Sequence, residues 1–182
     1  MRFALTGSYA LILAHHNLSL EISTDEILNS IQNNALLFTP GSHFYYSNTN
    51  YVLAKKIFEY VTHNSLSYEI HKRIIEKLNL EKTYYINHLP KNEIPKNKQK
   101  HIMNGYNYYD KELLGKETIN NTLSIASGPG SIISTSSNLN TFIRSLFSED
   151  NHLLLSPYQI KQLLSFNYYE KKSIHLNQCL KK

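Results

Sequence analysis

From position 49 onward, Val52, Leu53, Ile57, Phe58 and Val61 recur at three- and four-residue steps. That spacing lines one face of a helix and predicts an element ending near His63. Ser65 is placed to cap a second helix, in which Ile70, Ile74, Ile75 and Leu78 form the inner stripe while Glu69, Lys72 and Arg73 face solvent. Two packed helices are expected. Upstream, Ser23 followed by Thr24, Asp25 and Glu26 supplies a capping oxygen and a carboxylate for the free amides of a helix start, predicting a short helix to about Asn33. Pro40 and Gly41 then mark a turn before Tyr46, because proline lacks an amide donor and glycine accepts backbone angles other residues resist.

Downstream the pattern changes. Residues 106–110 and 122–127 combine aromatic or β-branched side chains with flanking turn formers and predict short strands. After the turn Ser127-Gly128-Pro129-Gly130-Ser131, one of Thr135, Ser136 or Ser137 can cap a helix with Leu139, Phe142, Ile143 and Leu146 inward. Ser156, Pro157 and Gln159 are a further helix start, since proline suits the first helical position. Residues 88–101 carry two prolines and a run of lysines with little to bury, and read as an exposed connection. A polyanion site from Lys91 to Lys100 would rest on charge alone, with no interleaved aromatic residue to stack on bases.

The 182 residues suit one ordinary domain, and 41% hydrophobic with 18% charged residues is a composition that folds. A net charge of +5 is a mild excess that a solvated surface carries, so nucleic acid is not implied as a partner. Cys179 has no second cysteine to pair with, leaving packing to hold the fold. Residues 3–14 are apolar but interrupted by Thr6, Gly7 and Ser8, which favours a plain helix or strand over an export signal. No stretch approaches the ~20 consecutive apolar residues of a membrane span. His15 and His16 are adjacent and diverge on any regular element, and the remaining histidines show no metal-ligand spacing; no metal or other cofactor is expected.

The chemistry lies elsewhere. In residues 36–85, Phe38, Pro40, Gly41 and Phe44 lead into Tyr46-Ser47-Asn48, followed by Asn50, Tyr51 and the two predicted helices. A second stretch, residues 126–147, has a small-residue and glycine turn, an apolar pair, Ser134-Thr135, and Asn138-Leu139 at a helix start. In order and separation these resemble the middle of penicillin-recognising serine hydrolases, the class C β-lactamases, D-Ala-D-Ala carboxypeptidases and related esterases, over residues 36–166. Asn138 stands where the family pattern has aspartate, a change that keeps a capping oxygen.

The resemblance implies an α+β fold, here a mainly helical fragment of the β-lactamase/transpeptidase-like fold with a few short strands, as one partial domain over residues 1–182. It implies Tyr46 and Asn48 as catalytic residues. A phenol is a weak acid, and nearby cations let one relay a proton from a serine hydroxyl; Asn48 would orient that network and offer an amide to a substrate carbonyl. The family's Ser-x-x-Lys nucleophile is missing, since no serine here has a lysine three positions on. A downstream Lys-Thr-Gly or His-x-Gly strand is missing too. The expectation is therefore a β-lactamase-related serine hydrolase, truncated and inactive alone, or else a noncatalytic remnant or binding module that keeps the helical scaffold. A small-molecule or cell-wall peptide substrate, and a periplasmic or extracytoplasmic setting, follow from the family only.

Overall fold

The computed structural model describes residues 21–88, 90–106, 108, 114–117, 122–147 and 153–165. The expectations for residues 3–14, His15, His16, His152, His175 and Cys179 lie outside them, as does most of the strand expected at 106–110. Helix α1 spans Thr24–Asn29, with the Ser23 and Glu26 side chains each bonding the other's backbone amide. The Ser23 hydrogen bonds hold the Glu26 carboxyl below its usual range. The helix stops short of Asn33 and residues 30–33 continue as turns.

Helix α2 runs Asn48–Thr62 and is closed by His63 in the left-handed conformation (φ 55°). Ile22, Ile27 and Val52 are buried as the core cluster between α1 and α2, with Leu28 against it. Leu53, Ile57 and Phe58 are half-buried, whereas Val61 is exposed, a departure from the predicted stripe. Helix α3, Leu66–Ile70, is capped by Ser65 as expected. It passes into a wider π turn over His71–Ile75, where Glu76 N–H reaches back to the His71 carbonyl at 2.8 Å. Ile75 is its buried stripe residue.

Glu69 corrects the sequence reading: it is buried rather than solvent-facing. Its carboxylate pairs with Arg73 one turn on and accepts from Asn64 Nδ2 at 2.8 Å, the pairing that makes burying a charge tolerable.

The strands also fall elsewhere than predicted. β1 (Tyr84–Tyr85) and β2 (Ile132–Ile133) pair antiparallel, Tyr84 opposite Ile133. Residues 122–127 contain instead a 3₁₀ turn, Ser124–Ala126, because Thr122 Oγ1 accepts from Ser124 N–H at 3.2 Å and the Leu123 and Ser124 carbonyls close successive turns. Tyr106 makes an isolated bridge with Glu117. Residues 90–101 hold more than a bare connection: two short helices, α4 (Pro90–Glu93) and α5 (Lys96–Gln99), flank Ile94, which is buried.

Helix α6 spans Ser136–Phe147, with Thr135 Oγ1 accepting from Asn138 N–H. Its inner face is not the one expected: Phe142 and Leu146 are half-buried and Ser145 is buried, while Leu139 and Ile143 are about half exposed. Helix α7, Pro157–Leu164, has the predicted capping box of Ser156 and Gln159. The architecture is thus a mainly helical α+β fragment with a single two-stranded antiparallel sheet among the described residues. No helix in them is long and apolar enough to cross a membrane.

Candidate active site

Pro40 and Gly41 form the expected turn, with Ser42 N–H on the Thr39 carbonyl at 3.0 Å and Gly41 at φ 89°. Ser47, itself in extended conformation (φ −148°, ψ 138°), caps α2, its hydroxyl accepting from Thr49 N–H at 3.2 Å. This start fixes Asn48 as the first helical residue, two positions after Tyr46. The Tyr46 hydroxyl donates to Asn48 Oδ1 at 3.0 Å. The Tyr46 ring leans on Tyr51, one turn into α2, with centroids 5.6 Å apart. It is 56% exposed, so the phenol faces open space rather than a core.

The second motif stretch meets the first at Tyr51. Gly128 has φ +110°, and a Cβ there would sit 2.9 Å from the Tyr51 carbonyl oxygen. Only a glycine lets the turn lie this close to the helix backbone. One helical turn further on, Lys55 Nζ donates to Ser127 Oγ at 2.7 Å and to Thr24 Oγ1 at 3.3 Å, with a Glu59 carboxylate oxygen at 4.0 Å. Lys55 therefore ties α1, α2 and the glycine turn together.

Tyr85 on β1 packs beneath the same turn. Its hydroxyl is buried among Ser127, Ser131 and the Gly128 backbone without a hydrogen bond to any of them. Burial pushes its pKa up, against the weaker opposing pull of those neighbours. Asn138, at the start of α6, donates from Nδ2 to Thr83 Oγ1 at 3.0 Å, which joins α6 to the chain entering β1. The contacts of Lys55, Ser127 and Tyr85 leave no signal in the sequence, because each acquires its neighbours only through contacts between distant segments.

Tyr46 and Asn48 are thus in direct contact. Among the described residues no lysine or arginine bonds the Tyr46 hydroxyl, and no group of histidine, cysteine, aspartate and glutamate side chains could hold a metal ion. The pair can orient a proton and offer the Asn48 amide, but it holds no nucleophile.

A family model described as Beta-lactamase matches residues 5–175, and the chain belongs to that family. The fold is shared with a D-stereospecific amidohydrolase from Streptomyces sp., at TM-score 0.70 and 23% identity over 88% of this chain and 44% of that one. A penicillin-binding protein from Bacillus halodurans superposes at TM-score 0.70 with 15% identity, covering 92% of this chain and 49% of its own. D-amino acid amidase from Ochrobactrum anthropi SV3, crystallised with L-phenylalanine, matches at TM-score 0.61 and 23% identity over 78% of this chain and 38% of that enzyme. The chain spans less than half the length of each of these structures.

Proposed function

We propose that this chain carries the tyrosine and asparagine corner of a serine acyl-transfer site, and that it does not turn over substrate alone. In the reaction proposed, a serine attacks the carbonyl of an amide, ester or β-lactam to give an acyl-enzyme, which water then hydrolyses. Tyr46 would relay the serine proton toward the leaving group, and Asn48 would orient the phenol and donate to the substrate carbonyl. The observation carrying this reading is the 3.0 Å Tyr46–Asn48 hydrogen bond, on an open face beside a glycine turn packed on Tyr51. Two of the similar structures are named for amide hydrolysis at D-configured centres, which favours a D-amino acid amide or D-peptide as the substrate class.

Inactivity of the isolated chain follows from the missing Ser-x-x-Lys segment, because removing one member of a unit that acts together removes most of the rate. The alternative, a noncatalytic scaffold, draws its support from the same absence of a cation at Tyr46. The test supplies those groups. Co-expression with separate segments that supply a Ser-x-x-Lys helix and a substrate-binding strand should restore cleavage of a D-amino acid anilide. Tyr46→Phe should lower that restored rate by about 10²–10⁴-fold. Hydrolysis of a chromogenic cephalosporin or the anilide by the purified chain alone would overturn the inactivity. A restored activity indifferent to Tyr46→Phe would remove Tyr46 from the site.

A further inference from the structure

Of the six glycines in the chain, Gly105 alone follows an asparagine. Asn104 and Gly105 are both exposed and lie, with Met103, in a stretch that belongs to no helix, strand or turn. Among the described residues, no hydrogen bond involves the Asn104 side chain or the Gly105 N–H. The stretch is short and held at both ends: Ile102 N–H bonds the Gln99 carbonyl at 3.0 Å, and Tyr106 makes its bridge with Glu117. Two asparagines followed by serine, the next smallest neighbour, sit differently. Asn29 lies in α1, where the Ser30 N–H is engaged by the Glu26 carbonyl at 3.0 Å. Asn64 Nδ2 is engaged too, by a Glu69 carboxylate oxygen at 2.8 Å and the Thr62 carbonyl at 3.3 Å.

We propose that Asn104 is a site of spontaneous covalent modification, losing its side-chain amide through a cyclic imide formed with the backbone nitrogen of Gly105. A base from the medium removes the Gly105 amide proton, and the nitrogen forms a bond to Asn104 Cγ. The Cγ–Nδ2 bond then breaks, and the side-chain nitrogen takes up a proton and leaves as ammonia. Water opens the five-membered ring in one of two ways. Cleaving the new Cγ–N bond restores the main chain with an aspartyl residue at position 104. Cleaving the original peptide bond instead leaves an isoaspartyl residue, with the main chain routed through the side chain and longer by one carbon. Glycine matters because ring closure brings the next residue's nitrogen onto the asparagine side chain, and a Cβ there would crowd the approach. Either product carries a new carboxylate and removes one unit from the net charge of +5. The isoaspartyl product also alters the chain two residues before Tyr106, and so acts on the bridge to Glu117.

The full 182-residue chain can be incubated in heavy-oxygen water at mildly acid and mildly alkaline pH, then digested with trypsin in ordinary water. Lys100 and Lys111 bound the peptide that holds Asn104, and fragmentation by mass spectrometry assigns the label within it. Heavy oxygen should appear at position 104 in both aspartyl and isoaspartyl form, and faster at alkaline pH. The rate in the folded chain should lie within about tenfold of that in a synthetic peptide of residues 101–111, while Asn29 and Asn64 gain label at least about tenfold more slowly than Asn104. Gly105→Ala, at an exposed position outside any element, should slow the reaction by about tenfold. A folded chain far slower than the peptide would mean that the fold guards Asn104 and would overturn the proposal. So would an aspartyl product with no isoaspartyl form, which is direct hydrolysis without the ring, or a rate indifferent to Gly105→Ala.

Discussion

Gly128→Ala tests the contact that brings the two motif stretches together. A methyl group on Gly128 would lie 2.9 Å from the Tyr51 carbonyl oxygen and 3.2 Å from its carbon, both backbone atoms of α2. The helix cannot step aside freely, because Val52, the next residue, is 1% exposed within the core cluster. The backbone angle adds to the cost: φ +110° is strained for alanine by about 1–3 kcal/mol. Reduced freedom of the unfolded chain offsets about 0.4–1 kcal/mol of that. Forcing a methyl into packed backbone adds about 1–3 kcal/mol more, giving a net loss centred near about 3 kcal/mol within a span of about 1–6 kcal/mol. Gly115→Ala is the internal control, since Gly115 also has positive φ (+75°) but nothing within 4 Å of its would-be Cβ. It should cost only the strain less the entropy gain, about 1 kcal/mol. Urea unfolding followed by circular dichroism reads both variants, provided the slopes of the transitions agree with wild type. If the two substitutions shift the midpoint equally, the glycine turn does not rest on Tyr51 and the assembly of the site described above fails.

Lys55→Met should destabilise by about 1–3 kcal/mol, because the Ser127 hydroxyl loses its 2.7 Å donor while still buried. In that background Ser127→Ala should recover part of the loss, so a double-mutant cycle by urea unfolding should give a favourable coupling; additive effects would dissolve the tie. Tyr85→Phe should change stability at neutral pH by less than about 1 kcal/mol, since the hydroxyl removed has no hydrogen bond to lose. At high pH the variants should diverge. The folded-state pKa of Tyr85 is raised, so its contribution is complete below the ordinary phenol value of about 10 and is lost as pH rises from there through the folded value. Wild type should lose stability in that alkaline window and Tyr85→Phe should lose less; parallel pH–stability curves would show that the hydroxyl is not buried.

What could be read from sequence was what is local. The Ser23 and Ser156 capping boxes and the Ser65 cap close over three residues, so each pattern carries its own partners. The end of α2 at His63 and the turn at Gly41 are equally local. The two-residue strands gave no alternation to detect, and Tyr84–Ile133 pairing depends on a contact across the chain. Glu69 looked like a surface carboxylate because its spacing is polar; Asn64 and Arg73 together make its burial tolerable. Lys55 carries no sequence signal of its role, since its partner Ser127 is 72 positions away. On α6, Leu139 and Ile143 match the helical period yet remain half exposed, because periodicity fixes a stripe without saying what covers it. For Tyr46 and Asn48 the sequence pattern named the pair, while their mutual hydrogen bond follows from Ser47 starting the helix between them.

That same local geometry limits what the pair can do unaided. With its proton directed to Asn48 Oδ1, the Tyr46 hydroxyl could take a proton from a serine only by releasing its own, an ionisation that a neighbouring cation favours. Lys55 is the lysine of α2 nearest the glycine turn in the hydrogen-bond network, and it is engaged by Ser127 and Thr24. Drawing it away toward Tyr46 would strip two hydroxyls of their donor and loosen the turn that the site rests on. A stabilising role for Lys55 and a catalytic one are therefore in conflict, so under the proposed function Lys55 is not the ammonium group that would activate Tyr46. Lys55→Met should accordingly lower the stability of the chain in the complemented amidase while leaving the pH profile of the restored activity unmoved. A shift of that profile toward alkaline pH would make Lys55 the missing cation after all.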